Sequence, residues 1–169
     1  GTEDLDSPSG LNLFQTSLAY VGDYSFFGFT SAVRGSRYRF EVEPTLGTLD
    51  FVTVLADYRK YFFLNPVTFA FRGMHVGRYW EDAENDRMSP LYIGYHTYVR
   101  GYSLGSFNLS DCRRSRLGEC SIYDRLTGSR LALINGEVRI PFFGTEQFGL
   151  INFPFLPTEL VGYFDGGLA

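Results

Sequence analysis

Apolar and polar residues alternate along much of this chain, and the alternation has the period of a β-strand. In the stretch "SRYRFEVEPTLG", residues 36–47, Tyr38, Phe40 and Val42 fall on one face and the charged residues on the other. Side chains two positions apart share a face of a strand, whereas a helix would mix the two sets. The alternation therefore predicts a strand with one apolar and one charged face.

Seven segments are predicted to be extended, and two long loops, at roughly 80–90 and 103–129, interrupt them. Gly and Pro stand in the breaks, where they favour turns. The seven segments are residues 11–24, 36–47, 48–63, 65–80, 89–99, 130–143 and 159–169. The sequence therefore predicts an all-β, antiparallel fold.

The alternation is compatible with two environments. In a water-soluble sandwich the apolar faces meet in a shared core, whereas in a membrane barrel they meet lipid and the charges line the lumen. Several segments reach about a dozen residues, while globular strands centre on roughly five or six. Aromatic residues also stand at segment ends, in residues 61–63, 78–80 and 141–143, as in the girdles at a bilayer interface. Both features favour the membrane barrel, although soluble lipocalin-like barrels share them.

Composition agrees with an all-β chain and narrows its partners. The chain has 169 residues, of which 44% are hydrophobic and 18% aromatic, with 19 Gly and 7 Pro. The formal net charge is -4 and the 15 basic residues are scattered, so no nucleic-acid partner is expected. No run reaches the roughly 18 apolar residues of a membrane-spanning helix, and the polar N-terminus "GTEDLDSPSG" is unlike a signal peptide. These observations exclude a helical membrane protein but not a strand-based one.

Three charged residues stand where pairing is expected. Arg100, in "YVRGY", offers a planar fork of donors suited to a carboxylate, and Gly101 permits a positive backbone dihedral. Glu137 and Asp165 lie on the polar faces of the last two segments, where a buried charge is costly unless it is paired. Either Arg100 pairs with these carboxylates, or all three side chains face solvent.

Motifs of catalysis, cofactor binding or metal binding are missing from the sequence. His75 and His96 are predicted to lie on strands among aromatic residues, without a Ser or Cys nucleophile nearby. No phosphate-binding, nucleophile-elbow or zinc-protease motif occurs. The acidic stretch "EDAENDR", residues 81–87, lacks the spacing of a calcium loop. We therefore expect a protein that is not an enzyme and has no cofactor or metal.

The order of "VRGY", "GEVRIP" and "GYFDGG" resembles the C-terminal barrel of the bacterial surface antigen superfamily, which includes BamA-like proteins and two-partner-secretion transporters. In that family the sixth extracellular loop folds into the lumen, and the arginine of a V-R-G-F/Y motif contacts the aspartate of an F-x-D-x-G strand. The resemblance runs from about residue 50 to the end, with Tyr163 replacing the first Phe. It implies a lock between the loop and the barrel formed by Arg100, Gly101, Tyr102, Glu137, Asp165 and Gly167.

The resemblance also implies a location and a function. Residues 1–169 are expected to be part of one C-terminal outer-membrane β-barrel domain, with a long inserted loop at about 99–129. About seven or eight strands are few for such a barrel, so the remaining strands are expected outside this chain. The implied function is insertion of proteins into the bacterial outer membrane or translocation across it, with membrane lipid and client outer-membrane or secreted proteins as partners. The alternative is a barrel that anchors or displays an attached periplasmic domain without transport.

Two cysteines, Cys112 and Cys120, enclose the polar stretch "RRSRLGE". In an exported protein, cysteines this close predict a small hairpin closed by a disulfide. The alternative is two free thiols in the loop. Zinc is not expected, because the chain has only two His.

Overall fold

The structure, a computed structural model, describes residues 10–101, 126–147 and 149–169. These residues form strands, turns and bends, so the all-β prediction is confirmed. Within these ranges no helix could span a membrane. The strands are β1 (Leu13–Gln15), β2 (Leu18–Asp23), β3 (Phe26–Phe27), β4 (Ala32–Gly47), β5 (Phe51–Leu64), β6 (Val67–Tyr79), β7 (Leu91–Tyr92), β8 (Thr127–Gly128), β9 (Arg130–Gly144), β10 (Ile151–Asn152) and β11 (Thr158–Leu168).

Most strands belong to one sheet in which antiparallel pairing dominates. The long strands β4, β5, β6, β9 and β11 lie side by side in that order. The short strands β1, β2 and β3 pair one after another with β4. β10 is parallel to the end of β9, and β7 and β8 form a separate small sheet. The large sheet is open between β11 and the β1 to β3 edge, so the described strands do not close the predicted barrel.

The long strands occur where the alternation predicts them, with ends that differ by a few residues. The predicted segments that correspond to β4, β5, β6, β9 and β11 are 36–47, 48–63, 65–80, 130–143 and 159–169. The segment predicted at residues 11–24 is interrupted, because two short strands, β1 and β2, pair separately with β4.

The strand predicted at residues 89–99 is wrong over most of its length. Only Leu91–Tyr92 is extended, and the chain then turns, with the Tyr98 N–H donating to the Tyr95 carbonyl oxygen at 2.9 Å. His96, predicted on a strand, lies in this turn. The aromatic and β-branched content of the segment favours a strand, but packing over another surface overrides such a preference.

The strand register places residues of the same kind side by side and gives the sheet two distinct faces. The apolar face carries a row formed by Phe40, Ala56, His75, Ala132 and Leu168. The charged face, on the opposite side, carries a row formed by Arg37, Arg59, Arg72, Asn135 and Asp165. The predicted separation of apolar and charged residues is therefore confirmed for β4, β5, β9 and β11, although Lys60 lies on the apolar face opposite Phe71.

Exposure to solvent is inverted relative to that of a water-soluble domain. Phe71, on the apolar face, is 52% exposed, whereas Ala70 and Met74 on the charged face are 5% and 7% exposed. Further exposed large residues of the apolar face are Val42, Tyr58, Ile134, Val138, Phe164 and Leu168. A soluble domain buries its large apolar side chains and rarely exposes them as a broad patch.

One end of the charged face is covered by a hairpin that folds over it. β4 bends at Gly35, which has a φ of 103°, and a Cβ at this position would collide with the backbone of Tyr24. Glycine alone combines this dihedral with such a close approach. The bend brings Ala32 against Tyr61 and Ala70 in a small buried cluster. The hairpin of β3 and the start of β4 thus forms a cap on the charged face.

Candidate functional site

Besides the hairpin of β3 and β4, residues 93–101 also lie on the charged face. They are called the arginine segment because they contain Arg100. Its first residue, Ile93, is 4% exposed and packs over Gly167 on β11. A Cβ on Gly167 would collide with the Ile93 side chain, so glycine is what permits this close contact.

Side chains of two strands hold the backbone of the arginine segment. Asn135 Nδ2 on β9 donates a hydrogen bond to the Tyr98 carbonyl oxygen at 2.9 Å. Arg72 Nη1 on β6 donates to the Thr97 carbonyl oxygen at 3.1 Å. The two bonds satisfy consecutive backbone carbonyls that the turn leaves outside any ladder.

Arg100 binds two carboxylates on neighbouring strands. Its Nε and Nη2 donate to the two oxygens of Asp165 at 2.8 and 2.6 Å, and its Nη1 donates to Glu137 Oε1 at 2.5 Å. The backbone N–H of Arg100 also donates to Asp165, at 2.9 Å. The guanidinium carbon lies 4.1 Å from the centre of the Tyr163 ring, within the range of a cation–π contact. Arg100 is therefore held by its main chain and by every nitrogen of its side chain.

The partners of Arg100 are neighbours because of the strand period and register. Asn135 is paired with Asp165, and Glu137 is paired with Tyr163, across β9 and β11. Since residues two apart share a face of a strand, these four side chains form a compact block on the charged face. Asn135 Nδ2 also donates to Asp165 Oδ1 at 2.8 Å, which orients the carboxylate toward Arg100.

The charges at this site are largely withdrawn from water. The Asp165 side chain is only 3% exposed, and that of Glu137 is 18% exposed. Glu137 also accepts a hydrogen bond from Arg139 Nε at 2.7 Å, so two carboxylates face two guanidinium groups. Such carboxylates are costly to bury unless they are paired and hydrogen-bonded. The hydrogen bond with Asp165, aided by Glu137, raises the pKa of Arg100 above its ordinary value.

Gly101 ends the arginine segment with a φ of 93°. Residues with a side chain rarely adopt this region, so glycine is favoured directly after Arg100. Tyr102, Cys112 and Cys120 lie outside the described residues, and the role of Tyr102 and the disulfide remain predictions.

A second ion cluster lies beside the first. Asp57 accepts hydrogen bonds from Arg59 Nη2 at 2.9 Å and from Arg72 Nη2 at 2.8 Å. A cavity of about 200 Å³ between the clusters is lined by these arginines, Tyr61 and Arg139. Among the described residues, no group of His, Cys, Asp and Glu could hold a metal ion. The arrangement is suited to holding a chain segment against the sheet.

Several contacts of the site were not predicted from the sequence. Asn135 was placed on the polar face of its strand but not in the site, although it stands two residues before Glu137. The stacking of Tyr163 on Arg100 and the packing of Ile93 on Gly167 depend on how the arginine segment folds back. The spacing of two residues between Asn135 and Glu137 puts both on the same face of the strand and would have indicated Asn135. The other two contacts can be recognised only from the folded structure.

Comparison of the chain with protein-family models, with curated proteins and with solved structures found no match. The functional argument therefore depends on the geometry of the sheet and of the arginine site.

Proposed function

We propose that this chain contributes its strands to an outer-membrane β-barrel, with the apolar face toward lipid and the charged face toward the lumen. The proposal is supported by the inverted exposure of the sheet. Apolar surface of this extent is unfavourable in water but matches the outward-facing apolar band of a membrane barrel.

The lengths of the strands also support this proposal. The five long strands have 16, 14, 13, 15 and 11 residues. A tilted strand needs roughly 9–11 residues to cross the hydrocarbon core. Each long strand is thus long enough to cross and, in most cases, to extend beyond the bilayer.

Within this barrel, the arginine site would act as a lock that holds the arginine segment inside the lumen. Ordering such a segment costs conformational entropy, which charge-assisted hydrogen bonds offset. The observation that carries the proposal is the guanidinium of Arg100, which bridges Asp165 on β11 and Glu137 on β9.

We further propose that the protein acts in insertion of proteins into the bacterial outer membrane or in their translocation across it. Support comes from the three stretches that resemble the surface antigen superfamily. Arg100, Glu137 and Asp165 belong to these separate stretches, and they contact one another in the folded chain. No enzymatic chemistry is proposed for the site.

Membrane fractionation tests the barrel. Membranes are washed with urea, and the protein is compared by electrophoresis with and without boiling. We expect a urea-resistant outer-membrane band whose mobility changes on boiling, because a closed barrel resists detergent until it is heated. A soluble protein with unchanged mobility would contradict the barrel and favour an ordinary lipocalin-like core.

Loss of the gene tests the function against the anchor role. We expect lower amounts of other outer-membrane or secreted proteins, restored by the wild-type gene but not by the Arg100→Ala variant at equal membrane abundance. Arg37→Ala is the matched control, because its 3.5 Å ion pair with Asp23 is solvent-exposed. Unchanged client proteins after loss of the gene would contradict the transport function and favour a membrane anchor.

A further inference from the structure

The second part of the connection between β9 and β11 is unusually apolar for an exposed turn, whereas its first part contains the charged residue Glu146. Residues 150–157, which form the aromatic turn, read "LINFPFLP" and contain no charged residue. All of them are exposed, with Phe155 at 87% and Leu156 at 59%. Turns in water are normally rich in polar residues. Exposed apolar side chains such as these are stabilised when they contact apolar surroundings instead of water.

The backbone of the aromatic turn is tied to the sheet. The Leu150 N–H donates to the Pro141 carbonyl oxygen at 3.0 Å, and the Phe153 N–H donates to the Gly144 carbonyl oxygen at 2.9 Å. At Gly149 a Cβ would lie 2.6 Å from the Gly144 backbone nitrogen, which only glycine avoids. The exposed side chains are therefore presented in a defined place.

A chain of aromatic contacts connects the sheet to the exposed ring of Phe155. The ring centres are 4.7 Å apart between Phe142 and Phe143, 5.8 Å between Phe143 and Phe153, and 5.9 Å between Phe153 and Phe155. All three pairs meet edge to face, an arrangement that aromatic rings favour. The contacts support the Phe155 ring from the sheet side while leaving it exposed.

The aromatic turn lies where the apolar face ends. It precedes β11 and therefore stands at the same end of the sheet as the turn between β5 and β6. The apolar face at this end carries Phe62, Leu64 and Leu160, which are exposed by 48%, 65% and 54%. The aromatic turn thus lies at the end of the sheet where these apolar side chains are exposed.

We propose that the aromatic turn inserts into the boundary between head groups and acyl chains of the lipid leaflet at this end of the barrel. The inference rests on the proposed function, because it takes the apolar face to be the lipid-facing one. Its place at the end of the sheet where that face exposes large apolar side chains, together with its lack of charge, favours lipid as the occupant. Aromatic and large aliphatic side chains are the ones that bury themselves at this depth in a membrane. The segment would anchor the sheet at a fixed depth in the membrane.

Tryptophan fluorescence in lipid vesicles tests the inference. Trp80 is the single tryptophan of the chain, and its replacement by Phe, together with replacement of any tryptophan in the remaining strands of the barrel, gives a silent background. Phe155→Trp and Leu156→Trp then report on the aromatic turn, and Phe71→Trp reports on the middle of the apolar face. Each variant is reconstituted in phosphatidylcholine brominated either near the head group or near the end of the acyl chains, after its mobility shift on boiling has been verified.

We expect Phe155→Trp and Leu156→Trp to lose emission with bromine near the head group and to be shielded from aqueous iodide. Phe71→Trp is expected to lose more emission with bromine near the chain end. Two outcomes would overturn the inference: quenching of both turn reporters by iodide, or shielding of both from iodide and from both bromolipids, as a covering protein would produce. In either case, bromolipid quenching of Phe71→Trp would still support the barrel. Loss of bromolipid quenching at all three positions would overturn the barrel as well.

Discussion

Alanine substitution of Arg100 and Asp165, singly and together, is expected to show that the two side chains stabilise the docked arginine segment as a pair. Arg100 donates to Asp165 through Nε and Nη2. Either single substitution removes both bonds, and the second substitution then has little left to remove. The effects of the two single variants are therefore expected to be strongly non-additive.

The size of the coupling follows from the contacts and their exposure. Hydrogen bonds to charged groups contribute about 1.5–3 kcal/mol each, but the Arg100 side chain is 31% exposed and solvent weakens its interactions. We therefore expect a coupling free energy of about 2 kcal/mol, inside the usual range for residues in contact. This corresponds to a change of roughly 30-fold in the equilibrium between docked and undocked segment.

Hydrogen–deuterium exchange of the reconstituted protein measures this equilibrium. Exchange is followed by mass spectrometry in peptides of the arginine segment, whose Arg100 amide is itself bonded to Asp165. The control cycle uses Arg37 and Asp23, which lie 3.5 Å apart with side chains 55% and 45% exposed. Exposed pairs of this kind couple weakly, and we expect less than about 0.5 kcal/mol there. Equal coupling in the two cycles would refute the lock.

Three further substitutions probe how the arginine segment is placed. Gly167→Ala is expected to speed exchange in the arginine segment, because its Cβ meets the Ile93 side chain. Adding Ile93→Ala removes this collision and should restore protection. A double variant that exchanges as fast as Gly167→Ala alone would argue against this contact. Gly101→Ala should destabilise docking by at least about 1 kcal/mol through its positive φ, while Gly73→Ala, which meets no neighbour within 4 Å, should leave exchange unchanged. Asn135→Ala removes the bonds to Tyr98 and to the Asp165 carboxylate and should raise exchange around the Tyr98 turn; unchanged exchange would mean that Asn135 does not hold the segment.

The five long strands were predictable because their sequence reports two things at once. Alternation indicates a strand, and odd or even position indicates the face. Phe40, Ala56 and Ala132 were therefore each assigned to the apolar face of their own strand, and the register then places them on the same side of the sheet. The pairing of Arg100 with Asp165 was anticipated from the cost of a buried charge and from the resemblance of the motifs. Both inferences depend on local sequence combined with general physical constraints.

Other features depend on packing between distant segments and had no local signal. The stretch at residues 89–99 has the composition of a strand, but it folds over the charged face because Asn135 and Arg72 bind its carbonyl groups. The bend at Gly35 is likewise marked only by a glycine inside an otherwise regular strand. A single sequence gives the preference of a segment, while its final place depends on which neighbours satisfy its backbone.

The backbone N–H of Arg100 and its guanidinium bind the same carboxylate, and this has an evolutionary consequence. The main-chain bond to Asp165 is available to any residue at this position except proline, so it fixes where the segment lies. The guanidinium sets how strongly the segment is held there. A lineage that lost the arginine would retain the location of the loop at reduced strength, and a single later substitution would recover the hold.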